Sequence, residues 1–195
     1  VMAGRPVEVA IGGKWRVDEF EPGPDWDGPY YGLDFGFSQD PTACTKCWIH
    51  ADRLYVEREA GGVGLEIADT AALLRREMPG IEGYELTADS ARPEVISHLK
   101  APNRLPRIVA CDKWPGSVKD GITVMRDFEE IVIHARCVET AREAMLYSHS
   151  VDRISGQVME SIVDAHNHYI DSIRYGLGKI IQKNNFSWGS VGSVR

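Results

Sequence analysis

Cysteine is scarce in this chain: four residues, irregularly spaced, in a length of 195. That suits a reduced, cytosolic setting better than a disulfide framework. No apolar run approaches the roughly 18 to 20 residues of a membrane span, so no membrane partner is expected. The first residues, Val1-Met-Ala-Gly-Arg-Pro6, lack the apolar stretch of a secretory signal. No segment repeats, no tract is of low complexity, and no Gly-x-x-x-x-Gly-Lys-Ser/Thr phosphate loop occurs. Positive charge is also short, with 22 Lys and Arg against 29 Asp and Glu and a net charge of −7. Nucleic-acid-binding domains are usually basic. A carboxylate cluster that binds cations reverses the local field, however. Global charge therefore leaves a DNA-acting enzyme open, one that holds DNA weakly by itself.

What is present is an ordinary globular composition, 43% apolar and 26% charged, long enough for one domain with a sizeable core. Residues 1–28 hold Pro22-Gly-Pro24, Gly28-Pro29 and a group of acids, and read as a linker of turns and extended chain. Residues 184–195 are rich in Ser, Gly and Asn and read as a flexible tail. Between them, strands are expected at 30–37, 42–49 and 53–59, the last two joined by a turn at His50-Ala-Asp52. Helices are expected at 65–78, 93–100, 117–128 and 138–147, with Pro93 in the first turn of the second and Ser117 capping the third. Short strands at 84–88, 107–111 and 131–134 alternate with them. Residues 148–161 read as a loop or hairpin, and one last helix follows. Three hairpin-linked strands followed by crossover units imply a mixed sheet flanked by helices. That α/β layout, an antiparallel meander plus parallel strands, is ribonuclease-H-like.

The last helix carries the densest chemistry. Ile170, Ile173, Leu177 and Ile180 recur at three- and four-residue steps, so the segment is amphipathic. His168 and Asp171, three apart, share one face. A carboxylate and an imidazole aimed into a fold are costly unless something there needs them, and a divalent metal is the usual reason. A solvated polar face is the alternative. Asp34, in Gly32-Leu-Asp-Phe-Gly36, is an acid inside an apolar strand, against strand propensity, with glycines that admit a ligand or a second backbone. Asp89, in Ala88-Asp-Ser-Ala91, ends a short strand, where crossover sheets bind ligands; an Asx turn or a helix cap is the alternative. In a ribonuclease-H-like sheet the strands of Asp34 and Asp89 are neighbours, and the last helix can bring Asp171 to them. Three such carboxylates suit two Mg²⁺ or Mn²⁺ ions roughly 3.5–4 Å apart, one to activate a water and one to stabilise a leaving 3′ oxygen. The imidazole leans towards Mn²⁺.

Taken in order, these pieces form a longer pattern. Gly32-x-Asp34-x-Gly36 is followed by Asp40-Pro41 and Ala88-Asp89-Ser90-Ala91. Then come Lys113-x-Pro115-Gly116-Ser117-x-x-x-Gly121-Ile122 and Asn167-His168-x-x-Asp171-x-x-Arg174-Tyr175. From about residue 30 to residue 182 the set resembles the nuclease domain of the large terminase subunit of tailed bacteriophages. The resemblance implies a ribonuclease-H-like endonuclease over 29–183 that cleaves concatemeric double-stranded viral DNA during genome packaging. By matching motif, Asp34, Asp89 and Asp171 would be the catalytic metal ligands and His168 an accessory ligand. It also implies an N-terminal ATPase domain in the same polypeptide, with residues 1–28 as the linker from it. Portal protein and the small terminase subunit would be partners, in the host cytoplasm and transiently at the procapsid portal.

Secondary candidates are basic. Lys113 and Lys119 flank the Pro115-Gly116-Ser117 turn, where a helix start can hold a phosphate; solvated lysines are the alternative. Arg92, Lys100, Arg104 and Arg107 lie near Asp89 in sequence and could touch DNA backbone. Arg153 falls in the expected hairpin, which borders the active site in the family resembled. Asp164 is expected to cap the last helix, His166 to be exposed, and Arg174 and Tyr175 to brace that helix on the sheet. Cys44 and Cys47 point to opposite faces of a strand and form no zinc pair. The five tryptophans are too scattered for a single-strand stacking platform. Two rival readings remain: a junction resolvase or transposase-type nuclease, and a non-catalytic docking module.

Overall fold

The computed structural model describes residues 7–8, 14–36, 39–149 and 167–189. Its elements are β1 (Val7–Glu8), β2 (Lys14–Asp18), β3 (Asp27–Asp34), β4 (Pro41–His50), β5 (Arg53–Val63), α1 (Ile67–Glu77), β6 (Leu86–Ala88), α2 (Pro93–Leu99), β7 (Ile108–Ala110), α3 (Ser117–Asp127), β8 (Glu130–His134), α4 (Val138–His149), α5 (His168–Gly176) and α6 (Gly178–Gly189). The strands form one eight-stranded sheet in the order β1-β2-β8-β5-β4-β3-β6-β7. β3, β4 and β5 are an antiparallel meander, while β3–β6, β6–β7, β5–β8 and β2–β8 pair in parallel. This is the mixed, ribonuclease-H-like sheet expected. Ala51 and Asp52, both with positive φ, turn β4 into β5, the geometry that tight hairpins favour.

Two apolar clusters cover the sheet. On one face α3, α5 and α6 supply Val124, Met125, Ile170, Ile173, Leu177 and Ile181 against Leu54, Val56, Ile131 and Ile133. On the other, α1 and α2 set Ala71, Leu74, Val95 and Leu99 against Tyr31, Leu33, Cys44 and Leu86. Cys44 and Cys47 fall in different clusters, so the pair is divided by the sheet as alternation requires.

Several boundaries differ from expectation. Residues 14–18 are not linker: β2 pairs with β8, and alternation buries Trp15 between Lys14 and Arg16. That period-two signal is short and lies ahead of a Pro- and Gly-rich stretch, which masks it. β3 ends at Asp34, so this acid stands at a strand terminus rather than within a strand. Ser117 is the first helical residue of α3, and the position before it is Gly116 in the left-handed region, with no side-chain cap bond. The last helix breaks at Leu177 into α5 and α6, and α6 runs to Gly189, so residues 184–189 are helix rather than tail. α4 reaches His149; the remainder of the loop or hairpin expected at 148–161, with Arg153, lies outside the described residues, as do Asp164, expected as a helix cap, and His166. Among the described residues no helix is long and apolar enough to cross a membrane.

Candidate active site

Asp34 ends β3, and Asp89 follows β6 by one residue. In the parallel β3–β6 pair Leu33 stands opposite Ala88, and the Asp89 N–H donates to the Leu33 carbonyl at 2.8 Å. The two acids are therefore neighbours at the carboxyl ends of adjacent parallel strands.

α5 brings the third acid. Gly32 lies two residues before Asp34 and shares its face. A Cβ at Gly32 would stand 1.7 Å from the Ser172 carbonyl oxygen, so only glycine lets the helix rest on β3. The fully buried Ser172 hydroxyl donates to the Gly32 carbonyl at 2.9 Å. Its one proton is thereby used, so Thr45 Oγ1 is the donor in the 2.7 Å bond to Ser172 Oγ. The glycine expected to admit a ligand or a second backbone admits a backbone. This contact sets His168 and Asp171, both in the first turn of α5, beside the end of β3.

Each carboxylate meets a basic side chain. His168 Nδ1 lies 2.9 Å from Asp34 Oδ2, and its Nε2 lies 3.6 Å from Asp40 Oδ1. Arg174 Nε and Nη2 both reach Asp171 Oδ1, at 3.1 and 3.0 Å, and Asn167 Nδ2 donates to Asp171 Oδ2 at 3.3 Å. Lys113 Nζ contacts Asp89 Oδ1, which also accepts the Ala91 N–H at 3.1 Å. The Asx turn considered for Asp89 thus exists, and it coexists with a place in the acid cluster. Arg174 and Lys113 both lie over the Tyr175 ring, 4.7 and 5.7 Å from its centre. Gly121 makes room for the arginine, because a Cβ there would fall 2.5 Å from Arg174 Cδ. Arg174 therefore clamps Asp171 as well as bracing the helix.

These partners do not bring the buried carboxyls back to their ordinary range. Burial pushes the Asp34 carboxyl above its ordinary range; the His168 hydrogen bond opposes this and the charge of Asp89 adds to it. Burial likewise raises Asp171, with Arg174 opposing and Asp34 reinforcing. The hydrogen bond to Asp34 raises His168. Perturbed groups of this kind cluster at functional sites. Among the described residues no three His, Cys, Asp or Glu side chains already stand close enough together to hold an ion.

Glu143 escaped sequence reading. It lies on α4, 7% exposed, and its Oε2 accepts the N–H groups of Tyr169 and Ile170 at 2.8 and 3.2 Å. Asn167 supplies no side-chain cap to α5, so Glu143 caps that helix from outside. Nothing in the sequence marks it, since a glutamate in a helix is ordinary until its burial is known. Among the secondary candidates, Lys113 joins the cluster. Arg92 donates to Glu94 at 3.1 Å, Arg104 donates to the His98 carbonyl, and Lys119 is exposed on α3.

The chain belongs to the terminase RNase-H-like domain family, whose model matches residues 34–179, from Asp34 past Asp171. It is similar to the large terminase subunit of Bacillus phage SPP1, with 31% identity over 169 residues, 84% of this chain. The chain spans 39% of the length of that relative. The nuclease domain of the bacteriophage SPP1 large terminase, a structure with bound Mn, superposes with a TM-score of 0.72 at 27% identity, covering 85% of this chain and 96% of that one. The P22 large terminase nuclease domain shares the fold, with a TM-score of 0.61 at 15% identity over 84% of this chain and 87% of that one.

Proposed function

We propose that this chain is a divalent-metal-dependent endonuclease that hydrolyses phosphodiester bonds of concatemeric double-stranded viral DNA during packaging. The observation that carries this reading is the convergence of Asp34, Asp89 and Asp171 at one sheet end, two of them raised by burial. The donor set fits the ions: three hard carboxylates suit Mg²⁺ or Mn²⁺, and an adjoining imidazole suits Mn²⁺. The Mn in the SPP1 nuclease domain supports the same choice. Two such ions supply a nucleophile at neutral pH and neutralise charge at the leaving oxygen.

The chain's own residues do the positioning. Asp34, Asp89 and Asp171 would hold the ions, with His168 as an accessory ligand oriented by Asp34. Arg174 and Asn167 fix the rotamer of Asp171, as outer-shell partners of metal ligands commonly do. Lys113, Lys119 and Arg92 are the candidates for DNA phosphates, with Arg153 a further one from outside the described residues. Attack on the phosphodiester would leave 5′-phosphate and 3′-hydroxyl ends. An ATPase domain in the same polypeptide, the portal protein and the small terminase subunit are the proposed partners, and the host cytoplasm at the procapsid portal the proposed place.

Incubation with supercoiled plasmid and Mn²⁺ is expected to give nicked and then linear DNA, stopped by EDTA. Anomalous scattering from a Mn²⁺-soaked crystal is expected at Asp34, Asp89 and Asp171. No cleavage and no ion there would leave a docking module. Strong preference for branched DNA would move the chain to the resolvase type.

A further inference from the structure

The three acids of the cluster are neutralised in unlike ways. Asp34 is held by His168, whose side chain is 17% exposed and carried on α5. Asp171 is held by Arg174, 9% exposed, wedged over Gly121 and Tyr175. Asp89 is held by Lys113, whose side chain is 45% exposed and comes from the segment between β7 and α3. An arginine fixed by packing cannot leave its partner. A lysine on a flexible stem at the surface can, because it acts as a point charge with no preferred plane. Its ammonium rests on Asp89 Oδ1 and over Tyr175, on the side of Asp89 facing α5, whose Asp171 completes the acid cluster.

We propose that Lys113 is a built-in counter-ion of the metal site. Its ammonium holds the Asp89 oxygen that a divalent cation would take, and an ion entering there must displace it. The freed ammonium then serves a phosphate of the bound DNA. This rests on the metal-dependent reading above. Two cations repel when they share one carboxylate oxygen, so lysine and metal compete at Asp89. The competition is moderate, because an ammonium this exposed is partly screened by solvent. One residue thus opposes metal binding in the free protein and favours cleavage in the DNA complex. A purely structural role cannot give those opposite signs.

The test is calorimetric titration of Mn²⁺ into the DNA-free protein, beside plasmid cleavage. Lys113→Met keeps the aliphatic stem over Tyr175 and removes the charge. It is expected to bind Mn²⁺ about fivefold more tightly than wild type, to melt at an unchanged temperature in EDTA, and to cleave more slowly at saturating Mn²⁺. Lys113→Arg is expected to keep wild-type or weaker Mn²⁺ binding. If Lys113→Met does not fold, Lys113→Gln carries the same expectations. Unchanged or weaker Mn²⁺ binding in the neutral variant overturns the inference and leaves the metal reading standing. No Mn²⁺ binding by wild type or variant overturns both.

Discussion

Two buried carboxylate sites on the same sheet end with opposite electrostatics. Glu57, on β5, accepts the Trp48 indole N–H at 2.6 Å and pairs with Lys46 at 2.8 Å and Arg58 at 3.3 Å. Burial pushes this carboxyl up, but the Lys46 and Trp48 hydrogen bonds outweigh it and the net shift is downward. Asp34 is buried and Asp171 half-buried, each with one basic partner, and both are shifted upward. The difference lies in what surrounds the charge. Glu57 is one acid among two cations and an indole donor, whereas Asp34 and Asp171 repel each other and share their cluster with Asp89. A carboxylate that is fully satisfied belongs to the architecture. Carboxyls that stay raised despite a basic partner each are a local conflict of the kind that marks a candidate functional site.

The sharpest way to break the comparison is to neutralise the acids. Asp34→Asn, Asp89→Asn and Asp171→Asn are each expected to abolish Mn²⁺-dependent plasmid nicking while the domain still folds. Stability should not fall in two of them. The folded state holds a proton on Asp34 more tightly than the unfolded chain does, so at neutral pH its charge opposes folding. Asp34→Asn is therefore expected to melt at or above the wild-type temperature without metal. Asp171 is raised as well, burial outweighing the opposing Arg174, so Asp171→Asn is likewise expected to melt at or above the wild-type temperature without metal. Retained nicking in all three would end the assignment of the site.

At Glu57 the expectation inverts. Lys46 is 16% exposed, so Glu57→Ala leaves a largely buried ammonium without its partner, at a cost of about 3 kcal/mol. A carboxyl with a lowered folded value contributes stability above the unfolded value and loses it as the pH falls through the folded one. Wild type should therefore lose stability towards acid pH, and the alanine variant should lack that component. Glu57 shares the sheet face of Lys46 and Tyr31, away from α5. Cleavage per folded molecule should survive. Urea unfolding at several pH values, with nicking assays below the transition, measures both.

The candidate site was legible where a residue contradicts its surroundings. Asp34 is an acid after an apolar strand, Asp89 follows another, and His168 and Asp171 keep helical spacing, so type and position both speak. Lys113 was legible only as a basic residue near a helix start. Its contact with Asp89 depends on β6–β7 register, which no local pattern encodes. In the fold, the meander and the crossover strands followed from alternation and turn chemistry. The break at Leu177 did not, because Ile170, Ile173, Leu177 and Ile181 keep one apolar stripe through both helices. Only Gly176 and Gly178, on either side of the break, hint at it. Glu143 was silent because a glutamate on a helix is ordinary until its burial is known.

Glu143 is the intermediate case, and the smallest effect follows from it. Like Glu57 it receives hydrogen bonds, yet burial pushes its carboxyl up to about 7 against two backbone N–H donors. Two backbone dipoles and the nearby His168 charge do not offset the lost hydration. A folded value above the unfolded one gives stability that is complete below about pH 4.5 and is lost as pH rises through about 7. His168 is also raised and slopes the same way, so wild type alone cannot isolate the glutamate. The difference between wild type and Glu143→Gln can, because a glutamine oxygen still accepts the Tyr169 and Ile170 N–H groups and keeps α5 in place. The variant is expected to gain about 2–3 kcal/mol on wild type between pH 5 and pH 8. An equal stability difference at both pH values would show that Glu143 holds no proton there, and that two backbone N–H groups satisfy a buried carboxylate as well as Lys46 and Trp48 satisfy Glu57.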